Sequence, residues 1–184
     1  DLSGCEATWT PKEGPAWTGW LPHADLEVAK AFTACSAPHD ALWKAMEGGG
    51  ELTLKTKLDL TNMLRPRVQP GSKLDHEFPQ EEVSVEFASP VQPWIETPAA
   101  KVTNVYTVND GSSGGFTVKP ESSKPIPVQV GLTTDKLTPL AATWTTSEDG
   151  RPRPFALHRF LLPWANTDPK ALGQDVVAVR REGG

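Results

Sequence analysis

Alternation of apolar and polar side chains is the clearest pattern in the chain. In residues 51–60, Leu52, Leu54 and Leu58 alternate with charged and hydroxyl side chains, and Thr56 is a polar residue at an apolar position. A period of two residues places one face of a strand in the core and the other in solvent. The pattern therefore predicts a strand that is buried on one side.

Further short segments show the same period or a β-branched composition, and Pro, Gly and Asp turns separate them. They are residues 83–87, 102–108, 116–118, 126–132 and 176–179, with a Gly/Ser hairpin tip at 111–115. No helical pattern separates successive strands, so a parallel α/β sheet is disfavoured. We predict a mainly β fold, an antiparallel β-sandwich of the Ig-like or Greek-key type, with a barrel as the architectural alternative.

The most apolar stretch, residues 153–165, is predicted to be a central strand. Phe155 would lie on one face and Phe160 and Leu162 on the other, so both faces would be covered. An alternating segment precedes it, and a Glu-Asp-Gly turn lies between the two. Residues 139–164 are therefore predicted to form one long hairpin at the centre of a sheet.

The first 50 residues have a different pattern. Residues 1–22 carry three tryptophans among Pro and Gly and are predicted to be an irregular arm. Apolar residues then recur at helical spacing in 25–32, where Asp25 can cap the helix start, and again in 39–46. We predict a Trp-rich arm and two short helices at 1–50, which precede and pack on a β-sandwich domain at 51–184.

Composition excludes several classes of function. A formal net charge of −5 with scattered Lys and Arg argues against nucleic acid. No apolar run reaches the roughly 20 residues that span a bilayer, so we expect no membrane span. The content of 18 Pro and 7 Trp, with many Ser and Thr, favours an extracytoplasmic protein, either secreted or periplasmic. Cys5 and Cys35 are predicted to form a disulfide bond.

Candidate catalytic side chains are few. Asp75, His76 and Glu77 are adjacent, but neighbours in extended chain cannot all point at one ion, and other histidines would have to complete a metal site. His158 lies in the apolar stretch, where a buried histidine bonded to a backbone carbonyl is the commoner case. Nucleotide-binding and nucleophile-elbow motifs are absent. We predict no catalytic site, no metal and no cofactor.

The surplus of tryptophan leads to the functional hypothesis. Indoles in loop segments are suited to stacking on the apolar faces of sugar rings. The alternative is a structural role, in which they hold the N-terminal arm on the sheet. We predict a non-catalytic module that binds a polysaccharide or another protein, possibly as an accessory domain of a larger polypeptide. The ligand-binding candidates are Trp9, Trp17, Trp20 and Trp94.

Two other classes of function stay open. One is a hydrolase or metal-dependent enzyme that uses His76 or His158 with nearby carboxylates, and it predicts a histidine and a carboxylate converging in a cleft. The other is a structural or assembly domain, which predicts a large exposed apolar surface. A binding module predicts instead that indoles share an open face.

Overall fold

A computed structural model describes residues 2–61, 63, 82–107, 111–119 and 124–165 of the protein. Strands account for 46% and helices for 15% of the structure. The strands are β1 (Cys5–Pro11), β2 (Trp17–Leu21), β3 (Gly50–Leu58), β4 (Val83–Ser89), β5 (Trp94–Glu96), β6 (Thr103–Thr107), β7 (Gly111–Val118), β8 (Ile126–Thr134), β9 (Ala141–Thr146), β10 (Arg153–Pro154) and β11 (Phe160–Leu161). The helices are α1 (Leu26–Phe32) and α2 (Ala37–Met46), and Leu157–Arg159 forms a short 3₁₀ turn.

The strands form two antiparallel sheets. The first sheet has the order β2-β1-β3-β8-β5, and β11 also pairs with β3. The second sheet has the order β10-β9-β4-β7-β6. The prediction of a mainly β, antiparallel fold is therefore confirmed, and the two sheets are consistent with a β-sandwich.

Period-two alternation decides which side chains enter the core. On β3, Leu52, Leu54 and Leu58 are buried, while Glu51 and Lys55 are exposed. Strands of both sheets contribute to one continuous apolar cluster, which includes Ala7, Trp9, Leu52, Leu54, Val83, Val85, Phe87, Phe116, Val128, Val130 and Leu132. The opposite, outward-facing side chains form the two outer faces of the structure.

The N-terminal segment is not the irregular arm that its Pro and Gly content suggested. β1 and β2 pair as an antiparallel hairpin, and β1 continues into the first sheet by pairing with β3. Cys5, Ala7 and Trp9 are buried, while Glu6 and Thr8 lie on the outer face. The prediction of an irregular arm for residues 1–22 is wrong, because inward and outward side chains alternate along residues 5–9 as they do in a strand.

The two predicted helices are confirmed, and both lie between β2 and β3. The Asp25 carboxylate caps α1 by accepting hydrogen bonds from the backbone N–H groups of Glu27 and Val28, at 3.0 and 3.3 Å. Such a cap satisfies donors that the first helical turn leaves without a partner. In α2, Leu42, Trp43 and Met46 are buried and join the core.

The predicted long hairpin at residues 139–164 is wrong. β10 pairs with the middle of β9 over only two residues, at the edge of the second sheet. The chain then crosses to the first sheet, where Phe160 pairs with Leu58 of β3. Phe155 and Phe160 are buried and their rings contact each other, with centroids 5.3 Å apart, whereas Ala156 and His158 between them are exposed. Three prolines at 152, 154 and 163 limit strand pairing along the way.

A buried histidine holds this crossover in place, and it is His23, not His158. His23 Nε2 donates to the Phe155 carbonyl oxygen at 2.8 Å, and His23 Nδ1 accepts from the Asp25 backbone N–H at 2.8 Å. Its ring packs edge-on against Phe160, with ring centroids 4.5 Å apart. Burial lowers the pKa of His23, against smaller opposing effects of the Phe155 carbonyl and the Asp25 charge. The ring is therefore neutral near pH 7.

The predicted disulfide between Cys5 and Cys35 is wrong. Cys5 points into the core from β1, whereas Cys35 lies on the surface after α1, and both thiols are free. Burial, offset in part by a hydrogen bond with Thr56, raises the pKa of Cys5 to about 12. Cys5 therefore behaves as a small apolar core residue.

Candidate functional site

The four candidate tryptophans separate into two pairs according to the face of the first sheet. Trp9 and Trp17 are paired across β1 and β2 on the inner side. Trp9 is 0% exposed, and Trp17 packs against the core with its Nε1 donating to the Pro38 carbonyl oxygen at 3.2 Å. Trp9 therefore belongs to the core and has no ring face for a ligand, and Trp17 supports the contact between the sheet and α2.

Trp20 and Trp94 lie on the opposite, outer side of the same sheet. Trp20 is on β2 and is 44% exposed, and Trp94 is on β5 and is 37% exposed. β2 and β5 are the two edges of the sheet in its main strand order. Of the four predicted ligand residues, these two share an open face.

Each of these indoles is seated against a glycine. Trp94 is the cross-strand neighbour of Gly131, and a Cβ on Gly131 would lie 2.1 Å from Cε2 and Nε1 of Trp94. Gly131 is buried even though it faces outward, because the indole covers it. The ring therefore has one side on the sheet and the other toward solvent.

Trp20 is held in a similar way at the other edge. A Cβ on Gly4 would lie 2.0 Å from Trp20 Nε1, and this nitrogen donates to the Ser3 carbonyl oxygen at 2.8 Å. Gly4 has a φ of 121°, which side-chain-bearing residues rarely adopt. His39 Nε2 donates to the Trp20 carbonyl oxygen at 2.6 Å and fixes the backbone of β2 to α2. Contacts with the protein thus hold both exposed indoles in place.

Polar side chains lie between the two tryptophans. The strand registers place Trp20, Glu6, Lys55 and Gln129 side by side across β2, β1, β3 and β8. A second row on the same side contains Thr8, Thr53 and Gly131, and ends at Trp94. We call this surface the tryptophan face, and it consists of Trp20, Glu6, Thr8, Thr53, Lys55, Gln129 and Trp94.

The charges of the tryptophan face balance. Glu6 and Lys55 are direct cross-strand partners, and its remaining members carry no charge. Opposite charges in this position attract weakly because both side chains are accessible to water. These residues offer donors and acceptors for hydrogen bonds, and Glu96, at the β5 end of the first row, adds a negative charge beside them.

The second sheet has a different outer face. A shallow groove of about 380 Å³ runs over it, lined mainly by hydroxyl and glycine residues of β4, β6, β7 and β9. Ser84 Oγ and Thr117 Oγ1 already bond to each other there at 2.7 Å. The tryptophan that contributes to the groove, Trp144, is partly buried and has the Arg153 guanidinium carbon 3.8 Å from its ring centroid. The groove therefore lacks an open indole.

The structure gives no support for a metal or catalytic site at the histidines proposed from the sequence. Asp75, His76 and Glu77 lie outside the described residues. His158 is exposed on the 3₁₀ turn, so the expectation that it is a buried histidine is wrong. In the described ranges, no three His, Cys, Asp or Glu side chains are grouped to hold a metal ion.

A serine and a histidine are in contact near the start of α2. Ser36 Oγ lies 2.6 Å from His39 Nδ1, and the other ring nitrogen of His39 is committed to the Trp20 carbonyl. The contact spans three residues at a helix start, where such local bonds are common. We therefore interpret it as part of the support of β2.

No helix in the part of the chain that the structure describes is both long enough and apolar enough to cross a bilayer.

Comparison with protein-family models, with curated proteins and with solved structures finds no match for this chain.

Sequence patterns select Trp20 and Trp94 as candidates but do not indicate which residues lie around them on the sheet. Gly4, Gly131, Glu6, Lys55 and Gln129 come from different strands, and only the registers of β1, β3 and β8 bring them together. The alternation along each strand does indicate which side chains face outward. Glu6 and Lys55 are polar residues in such alternating segments.

Proposed function

We propose that the protein is a non-catalytic module that binds a glycan through the tryptophan face. The observation that carries the proposal is the placement of Trp20 and Trp94, half-exposed and seated on glycines, on one outer face. A binding module was expected to present indoles on a shared open face, in contrast to the cleft of an enzyme. Aromatic side chains offer a large apolar area with little freedom to lose on binding.

Sugar rings match the two kinds of group on this surface. Their C–H faces are apolar and can lie on the solvent side of each indole, while their hydroxyls can donate and accept hydrogen bonds. Glu6 accepts, Lys55 donates, and Gln129 does both. Hydrogen bonds to charged groups are the stronger ones, so Glu6 and Lys55 would orient the chain.

The size of each tryptophan contribution follows from its exposure. Trp94 is 37% exposed. Covering that part of an aromatic side chain, out of about 150–250 Å² in total, removes on the order of 75 Å² from water. At about 25 cal/mol per Å² this is worth about 2 kcal/mol. Loss of the indole is thus expected to weaken binding roughly 10- to 30-fold.

We also propose a location for the module. A glycan-binding role fits a place outside the cytoplasm, as a secreted or periplasmic protein or as an accessory domain that holds a larger polypeptide on its substrate. The abundance of Trp, Pro, Ser and Thr supports this setting.

Retention on polysaccharides tests the proposal. The protein, Trp20→Ala and Trp94→Ala are passed through affinity gels that contain cellulose, xylan, starch or chitin. Tyr106→Ala is the matched control, because Tyr106 is a 73% exposed aromatic residue on the second sheet. We expect retention on at least one polysaccharide, weakened by either tryptophan substitution and unchanged in the control. No retention on any gel would leave a protein partner or a structural role as the better explanation.

A further inference from the structure

The two tryptophans are widely separated, and their separation can be derived from the strand registers. Trp20 is in register with Glu6, and the row continues through Lys55 and Gln129 to Glu96 on β5. Trp94 precedes Glu96 by two residues. Four inter-strand spacings of about 4.8 Å and two residues along a strand place the two backbones roughly 20 Å apart.

The rings are closer together than the backbones, because Trp94 leans inward over Gly131 of β8. An equal inward lean of Trp20 would still leave two inter-strand spacings, about 10 Å, between the rings. This distance limits what can contact both indoles. A single sugar ring is about as wide as one inter-strand spacing, near 5 Å. A mono- or disaccharide can cover Trp20 or Trp94 but cannot reach from one to the other. A linear chain of about four or more rings, lying across the strands, spans the distance.

The groups along this path define the chemistry of the chain. Glu6 and Lys55 lie next to each other at its centre, and Glu96 lies beside its end at Trp94. An acidic sugar chain would bring its carboxylates or sulfates against these two glutamates, and within this row Lys55 is the cation that lies between them. A neutral chain avoids that repulsion and can still bond to all three charged groups through its hydroxyls.

We propose that the ligand is an extended neutral oligosaccharide that bridges Trp20 and Trp94 across the strands of the first sheet. This inference rests on the proposed function and specifies its ligand. Once one end of the chain stacks on one indole, contact with the other becomes intramolecular. The effective concentration of the second end of the sugar chain at the other indole is then far above the concentration of free ligand in dilute solution. Affinity therefore rises with chain length until both indoles are covered.

Titrations with matched short and long sugars test the bridge. The probes are the disaccharides and hexasaccharides of the cello-, xylo-, malto- and chito- series, with tryptophan fluorescence or calorimetry as the readout. We expect one hexasaccharide to bind at least tenfold more tightly than its disaccharide. Trp20→Ala and Trp94→Ala should each abolish most of this difference, and Tyr106→Ala should preserve it. Hexagalacturonate, an acidic chain of similar length, should bind more weakly than the neutral hexasaccharide.

The outcomes separate the two proposals. Equal affinities for a disaccharide and its hexasaccharide would overturn the bridge but leave glycan binding in place. A length effect that survives either tryptophan substitution would also overturn the bridge. Tighter binding of hexagalacturonate would overturn the neutral ligand. The absence of binding by every sugar would overturn the proposed function together with this inference.

Discussion

Replacement of Gly131 with alanine tests whether the sheet surface positions Trp94. A Cβ at residue 131 would lie within 2.4 Å of three atoms of the indole, so the ring must leave its seat. Gly131 is not one of the glycines with positive φ, and its backbone can accept alanine. Without the indole, replacing a glycine inside a strand would stabilise the protein by about 0.5–1 kcal/mol.

Displacement of the Trp94 ring turns this stabilisation into a net destabilisation. Trp94 is 37% exposed, so about two thirds of its surface is covered. If roughly half of that area, about 65 Å² for an average aromatic side chain, returns to water, the cost is about 1.6 kcal/mol. After the alanine gain is subtracted, Gly131→Ala should lower the free energy of unfolding by about 1 kcal/mol.

Urea unfolding and acrylamide quenching measure the two consequences. Gly131→Ala should unfold at a lower urea concentration, and acrylamide should quench its tryptophan fluorescence more strongly. It should also bind the polysaccharide that retains the wild type about as weakly as Trp94→Ala does. In a Trp94→Ala background the same substitution should be stabilising, because no ring occupies the site. Equal stabilisation by Gly131→Ala in both backgrounds, with unchanged quenching, would refute the seating of the indole.

Three further predictions concern the core. Because the pKa of His23 in the folded protein is lowered from 6.5, the unfolded chain binds more protons than the folded protein just below that pH. The stability of the wild type relative to His23→Gln should therefore fall as the pH drops below 6.5, by at most about 1.4 kcal/mol per pH unit, and stay constant above it. A thiol reagent should label Cys35 in the native protein and Cys5 only on unfolding, and reductant should not change the unfolding midpoint, because both thiols are free. Trp9→Ala should cost about 3–5 kcal/mol in urea unfolding, whereas Trp20→Ala should cost far less.

Local periodicity predicted the strands well where one face is buried. β3 is the best example, and even its irregular position has a physical reason. Thr56 is buried, and its single hydroxyl proton is shared between the Leu161 carbonyl oxygen at 2.8 Å and the Gly4 carbonyl oxygen at 3.2 Å. A hydroxyl can occupy a core position when the backbone supplies acceptors.

The failures arose where tertiary placement decides between two interpretations of one pattern. Apolar residues on both sides of 153–165 fit a central strand, but they also fit a segment that crosses between two sheets, as Phe155 and Phe160 show. The cysteine prediction failed because spacing along the chain does not show that Cys5 faces inward and Cys35 outward.

The candidate site was predictable only in part. Trp17 and Trp20 are three residues apart on one strand, so they must face opposite sides, but composition alone could not tell which side was open. The glycine seats and the polar rows depend on pairings between residues far apart in sequence. Lys55 is opposite both Glu6 and Gln129 through such pairings. Non-local register is not encoded in the local pattern that sequence reasoning uses.

Oxidative footprinting of the indoles tests most directly whether the tryptophan face binds a glycan. The protein is oxidised with and without the polysaccharide that retains it, and modification of each aromatic residue is mapped by mass spectrometry. We predict that the polysaccharide protects Trp20 and Trp94 together and leaves Tyr106 unprotected. Protection of Tyr106 instead, or no protection of Trp20 and Trp94 by any polysaccharide of the panel, would contradict the assignment of this face.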